Sequence, residues 1–192
     1  MAFIALYDAN VLYPFHLRDL LIRLARLGHF QAKWTEAILD ECFCNLQRNR
    51  PDLDPARLAR TRTLMNQAVP DCLVSGYQDL IAGLQLPDDD DRHVLAAAIR
   101  CQADVIVTAN TGDFPSDALE PYDIEALAPD TFVLNLIHNA SSDVWGVCRD
   151  MAAATNAPPL TVDQVLDRLA RDGLPQSAAE LRPFVGSTPR PT

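Results

Sequence analysis

The apolar residues of this chain recur in two rhythms. Phe3-Ile4-Ala5-Leu6-Tyr7 and Val105-Ile106-Val107 are short unbroken runs of the kind found in strands buried on both faces. Leu17, Leu20, Leu21, Leu24 and Leu27 instead return at helical spacing until Gly28 stops them. A brief strand is expected over Phe30 to Trp34. Thr35 should then cap a helix running to about Gln47, with Glu36 in its first turn. Asp54-Pro55 opens another helix, Asp as cap and Pro at its first position. Cys72-Leu73-Val74 is a candidate strand, Tyr77 to Leu84 a short helix, and Pro87 the turn before an Asp run that leads into Val94-Leu95-Ala96-Ala97-Ala98-Ile99. Strands alternating with helices predict an α/β fold around a mostly parallel sheet covered on both faces.

Past Pro129 the pattern is helical only. Phe132, Val133, Leu136 and Ile137 suggest a helix closing a first domain, 1–140. A second unit, 141–192, is expected to be a helical extension. It has a helix-like run from Val144 to Ala154, a Pro158-Pro159 break, and a helix capped by Thr161 with Val162, Val165, Leu166 and Leu169 on one face. A last segment, Ser177 to Phe184, offers Leu181 and Phe184, and the final six residues are read as frayed. The amphipathic face at Val162 to Leu169 should pack on the first domain or on a second copy, because a helix this short is marginal alone.

Composition narrows the class. In 192 residues, 48% hydrophobic and 22% charged content is that of an ordinary soluble globule. No apolar run approaches the ~20 residues needed to span a bilayer, so no membrane role is expected. No basic segment followed by an apolar one opens the chain, and five cysteines form an odd set without a C-x-x-C pair. A cytoplasmic protein with reduced thiols is the simplest expectation. Neither a G-x-G-x-x-G nor a P-loop pattern occurs, and the four histidines lack zinc-ligand spacing. No Ser-His-Asp or Cys-His arrangement is visible, which disfavours covalent catalysis.

Four acidic stations carry the candidate chemistry. Asp8 ends the first apolar run; Glu41 lies in the second long helix; Asp88-Asp89-Asp90-Asp91 opens the Ala-rich helix; Asp113 follows the third strand in Thr108-Ala109-Asn110-Thr111-Gly112-Asp113-Phe114. Strand carboxyl ends converge on one edge of a parallel sheet, where ligands bind. Carboxylates gathered there repel unless a divalent cation neutralises them. Each station has a plainer reading. Asp8 could cap the next helix, and acids in a first helical turn complement its dipole. On a helical wheel Glu41 shares a line with Ala37, Asn45 and Arg48, outside the apolar stripe. Periodicity would make it solvent-facing, and Glu36 or Asp40 would serve as well.

The order Leu6-Tyr7-Asp8-Ala9-Asn10-Val11-Leu12, Ile38-Leu39-Asp40-Glu41, Asp88 to Ala98, and Ile106-Val107-Thr108-Ala109-Asn110…Asp113-Phe114 resembles the PIN domain family of metal-dependent ribonucleases, especially the VapC toxins of bacterial toxin–antitoxin pairs. The resemblance covers roughly Met1 to His138 and implies a three-layer α/β/α sandwich. It selects Glu41 as the second acid and Asp91 as the third, so that Asp8, Glu41, Asp91 and Asp113 would be catalytic. Asp8, Asp91, Asp88 and Asp113 would hold Mg²⁺ or Mn²⁺. Asp89 and Asp90 are expected to be solvated, and His93 a surface histidine. Some relatives carry an aspartate where this chain has Asn110, so Asp113 is the better anionic candidate. Thr108 could hold a carboxylate or a phosphate oxygen, or be only a β-branched strand residue.

The net charge of −10 is unevenly spread: residues 1–65 hold 9 Lys/Arg against 7 Asp/Glu, residues 66–192 hold 7 against 19. A local basic surface can bind phosphate on an acidic whole, because screening limits each charge to about 8–10 Å. Thr108, Asn110 and Arg48 are therefore the candidate substrate contacts, with Arg18, Lys33 and Arg50 as further members of a basic rim; solvated helix faces are the alternative for all the arginines. The resemblance implies RNA hydrolysis by metal-activated water with a 5′-phosphate product. Its partners would be RNA, a cognate antitoxin and a second copy of the chain. A general RNA-processing nuclease or a catalytically silent module of the same fold are the alternatives. A haloacid-dehalogenase phosphatase would need a second Asp where Asn10 stands, and a phosphoacceptor receiver needs acids that Ile4 to Tyr7 do not supply.

Overall fold

The computed structural model describes residues 3–155 and 158–186. In chain order the elements are β1 (Ile4–Tyr7), α1 (Ala9–Leu12), α2 (Phe15–Arg26), β2 (Gln31–Lys33), α3 (Glu36–Asn49), α4 (Pro55–Ala68), α5 (Gln78–Ile81), α6 (Arg92–Cys101), β3 (Val105–Val107), α7 (Ser116–Leu119), β4 (Glu125–Leu127), α8 (Pro129–Ala153), α9 (Val162–Arg171) and α10 (Pro175–Leu181). The four strands form one wholly parallel sheet in the order β2-β1-β3-β4. Residues 5–7 of β1 and 105–107 of β3 are buried throughout, as strands covered by helices on both faces must be. The expected α/β class with a helical C-terminal part is what the chain adopts.

Local chemistry sets the boundaries. Thr35 accepts from the Ile38 N–H at 3.0 Å and starts α3; Asp54 accepts from Ala56 N–H at 2.9 Å with Pro55 at the first position of α4. Pro14 separates α1 from α2, since it has no N–H to continue the first helix. Gly28 takes φ +84° after α2, a left-handed backbone that a side chain would strain. At the centre Tyr7 stacks on Trp34, ring centroids 6.2 Å apart, and meets Phe30 and Phe132 edge-on. Its hydroxyl is buried and has no hydrogen-bond partner among the described residues.

Two features depart from the sequence expectations. Cys72 to Val74 forms a single bridge, Trp34 to Leu73, rather than a strand. β4 was not anticipated. The two helices expected on either side of residue 140 are both present as the halves of α8, joined through a kink at Ala140 (φ −150°, ψ 54°). The amphipathic helix α9 packs on α8, α10 and α2, with Val165, Leu166 and Leu169 buried and Val162 against the core. Buried Asp130 of α8 secures α10: its carboxylate accepts from the N–H groups of Gln176 and Ser177 and from the Ser177 hydroxyl, at 2.7 to 2.9 Å. Asp172, just past α9, accepts from the His16 backbone N–H at 3.0 Å and lies 3.1 Å from the ring Nδ1, while Arg168 lies 3.2 Å from the ring Nε2. The last six residues lie outside the described part.

Candidate active site

β1 leads to β2 on one side, and the chain then crosses to β3 on the other. The carboxyl ends of β1 and β3 are thus a point where strand order reverses, and a crevice opens there. Tyr7 pairs with Val107, so the next residues, Asp8 and Thr108, stand side by side. Asp8 is buried and both its oxygens are engaged. Oδ1 accepts from the Ala9 N–H at 2.6 Å, capping α1; Oδ2 accepts from Thr108 Oγ1 at 2.7 Å and Asn10 Nδ2 at 2.6 Å. The cap and the strand-end carboxylate are one residue. Burial raises its pKa against those hydrogen bonds, which favour the charged form.

Asn10 is the residue that the sequence reading undervalued. Besides Asp8 it donates to Thr108 Oγ1 at 3.0 Å, and its carbonyl accepts from Ala109 N–H at 2.9 Å. It ties the exit of β1 to the exit of β3. The signal was an Asn two residues beyond the strand-end Asp, a spacing noticed only as the absence of a second Asp. Thr108 is fully buried; its hydroxyl serves the carboxylate and accepts from the Asn110 N–H at 3.0 Å. Asn110 itself is exposed on the following loop, and Asp113 ends a 3₁₀ turn three residues on.

The other acids arrive from α3 and from the entry to α6. Glu36 and Asp40, the two alternatives to Glu41, are both bound by Arg62 of α4 and so face away from the crevice. Glu41 remains. Its carboxylate stands 3.9 Å from His93 Nε2, and its pKa is raised by burial, then by Asp8 and Asp90. Asp91 occupies the cap position of α6 yet makes no side-chain cap bond, which leaves its carboxylate to the crevice. Burial pushes that carboxyl up to about 6, with further contributions from Asp8, Asp113, Asp88 and Glu41. Asp88 uses an oxygen on the Asp90 N–H at 2.9 Å.

One expectation at the entry to α6 changes. Asp89 and Asp90 are both exposed, as expected; Asp89 pairs with Arg92, and Asp90 is also close enough to act on Glu41 and His93. His93 is no surface residue: its side chain is 22% exposed, its Nδ1 is buried without a partner among the described residues, and burial lowers its pKa. The basic rim contracts as well. Arg18 is buried and donates to the carbonyls of Leu12 and Tyr13, Lys33 donates to the Asp71 carbonyl, and Arg50 pairs with Asp52. Arg48 alone of that group borders the crevice, in a cleft of about 450 Å³ with Asn10, Tyr13, Glu41, Asn45 and Asn49.

The donors available here are carboxylate and amide oxygens with no thiolate, the chemistry of a hard divalent cation. The upward shift of Asp91 under four neighbouring acids is the electrostatic demand such a cation would relieve. As placed, no three His, Cys, Asp or Glu side chains among the described residues are drawn tightly enough together to enclose one ion.

Residues 129–183 match the VapC50 C-terminal domain, from the first residue of α8 to just beyond α10. A curated relative, "Putative ribonuclease VapC50" of Mycobacterium tuberculosis, is 46% identical over 107 residues, 56% of this chain and 62% of that protein. The chain thus spans less than two thirds of the relative's length. No solved structure matches. Among the described residues no helix is long and apolar enough to cross a membrane. Residues 5–112, more than half of the chain, match the PIN domain, a span that holds Asp8, Glu41 and Asp91 and stops one residue short of Asp113. The protein belongs to the PIN domain family.

Proposed function

We propose that this protein is a divalent-metal-dependent endoribonuclease, the toxin of a type II toxin–antitoxin pair acting in the cytoplasm. The observation that carries the reading is the convergence of Asp8, Asp113, Asp88 and Glu41 on Asp91 in one crevice, where burial first and then those four charges raise its carboxyl to about 6. Asp8, Asp91, Asp113 and Asp88 would hold Mg²⁺ or Mn²⁺. When bound, the cation supplies Lewis-acid stabilisation of the phosphoryl charge and of the leaving oxygen. Thr108 and Asn10 orient Asp8. Glu41, with its raised pKa and half-exposed carboxylate, is placed to take the proton of the attacking water. Arg48 and Asn110, both exposed at the mouth, contact the RNA strand.

Residues 1–140 would form the nuclease domain that carries the site and 141–192 a helical extension, of which α9 packs on α2. An antitoxin needs an apolar landing surface, and the groove between α2 and α4 offers one, with Phe15 62% and Leu64 51% exposed. A second copy of the chain is the other expected partner. The test is cleavage of total RNA by the purified protein with Mn²⁺, with analysis of the new ends. Manganese-dependent cuts bearing 5′-phosphates, lost in Asp91→Asn, are expected. Cleavage that persists in chelator or in Asp91→Asn would refute the assignment.

A further inference from the structure

One face of α3 leaves the carboxylate crevice and forms the wall of the adjoining cleft. Glu41, Asn45, Arg48 and Asn49 lie along it, and Tyr13 and Asn10 close the opposite side. The rise from Glu41 to Arg48 is about 10 Å, enough to reach from a scissile phosphate past one nucleotide to the next phosphate. The lining chemistry is unusual for an acidic protein. Beyond Glu41 it contains no carboxylate; it offers three amides, an aromatic ring and one cation. Arg48 has no ion-pair partner among the described residues, whereas Arg50 and Arg62 do. The Tyr13 hydroxyl accepts from Asn49 Nδ2 at 3.1 Å, which fixes the ring against the cleft.

We propose that this cleft is a nucleobase subsite: Tyr13 stacks the unpaired base next to the scissile phosphate, Asn45 and Asn49 read its edge, and Arg48 binds the following phosphate. The proposal rests on the nuclease reading above and adds what that reading leaves open, a determinant of sequence context. RNA is read mainly at unpaired bases that stack on aromatic side chains and are hydrogen-bonded on their edges. A carboxamide presents a donor beside an acceptor, the pairing that base edges answer. The volume of about 450 Å³ lies in the range of small-molecule sites.

The test is cleavage of a randomised RNA pool with Mn²⁺, sequencing the ends, together with steady-state kinetics on one preferred oligonucleotide. Asn45→Ala and Asn49→Ala should flatten the base preference at a single position beside the cut and raise KM about tenfold, with kcat little changed. Tyr13→Leu should do the same, and Tyr13→Phe should keep most of the wild-type KM. Oligonucleotides carrying 2-aminopurine at that position, bound to Asp91→Asn, should be quenched, and Tyr13→Leu should remove the quenching. If wild type cleaves but the Asn45 and Asn49 variants retain its base preference, or lose only kcat, the subsite is overturned and the nuclease reading stands. If wild type with Mn²⁺ cleaves no RNA, both are overturned.

Discussion

The Thr108 hydroxyl donates to Asp8 Oδ2 at 2.7 Å, joining two side chains a hundred positions apart that the β1–β3 register sets side by side. A buried bond to a charged group contributes roughly 1.5–3 kcal/mol. Thr108→Val keeps the shape and the strand propensity but removes the donor. We expect a melting midpoint lower by about 3–8 °C and RNA cleavage down at least tenfold, while Thr108→Ser stays near wild type in both. Equal activity of the Val and Ser variants would mean that the hydroxyl does nothing beyond filling a strand position.

The titration of Asp91 sets a pH dependence of stability. Its folded pKa of about 6 lies above the ordinary value of 3.8, so the folded state binds the proton more tightly than the unfolded one. This contribution is complete below 3.8 and is lost as pH rises through about 6. Discounted for solvent screening, it amounts to about 1–2 kcal/mol. In chelator, wild type should therefore lose more stability between pH 5 and pH 7.5 than Asp91→Asn does, with the variant the more stable at pH 7.5. Denaturant melts of both at the two pH values provide the comparison.

Mn²⁺ should raise the wild-type midpoint, since a ligand held at a hundred times its Kd stabilises by about 2.7 kcal/mol. Asp8→Asn and Asp91→Asn should abolish that shift. Within the Asp run the two middle residues should separate: Asp89→Asn leaves cleavage unchanged, because Asp89 is solvent-exposed and paired with Arg92, while Asp90→Asn alters the pH profile of cleavage through Glu41 and His93. Identical profiles for the two variants would mean that exposed Asp90 has no influence on Glu41 or His93.

Tyr7→Phe should stabilise the protein. The phenol is wholly buried among Trp34, Phe30 and Phe132, its hydroxyl has no partner among the described residues, and burial raises its pKa. Removing an unpaired buried hydroxyl relieves a desolvation cost of about 1–3 kcal/mol. Thermal melts of the two proteins decide it; a lower midpoint for the Phe variant would reveal a partner for the hydroxyl.

What could be read in advance follows from how each feature is encoded. β1, β3 and the caps at Thr35 and Asp54 are local: a run of apolar residues, or a side-chain oxygen two or three positions from the N–H it accepts from. β4 is only Glu125-Ala126-Leu127, without alternation, and exists through its register with β3. The boundary between two helical runs near residue 140 was legible as a change of pattern past Ser141, and the backbone kinks one residue earlier, at Ala140. Orientation within the Asp run was illegible because identical residues carry no register, and the 3₁₀ turn Asp89–Asp91 rotates faster per residue than an α-helix. Periodicity rightly placed Glu41 outside the apolar stripe. Only the pairing of Glu36 and Asp40 with Arg62 separates it from its acidic neighbours.

The clasp of His16 by Asp172 and Arg168 has a consequence for how the chain is made. α2 lies close behind the first acid of the site, but α8 and α9, which pack on it, are encoded more than a hundred positions later. A ribosome extends a chain from its N-terminus, so the apolar face of α2 must wait, partly uncovered, until α8 and α9 have emerged. The crevice therefore gains this support only after α9 has been made. A prematurely terminated product would hold all four acidic stations on a scaffold lacking its last brace, and we expect it to be cleared by proteolysis sooner than the finished chain.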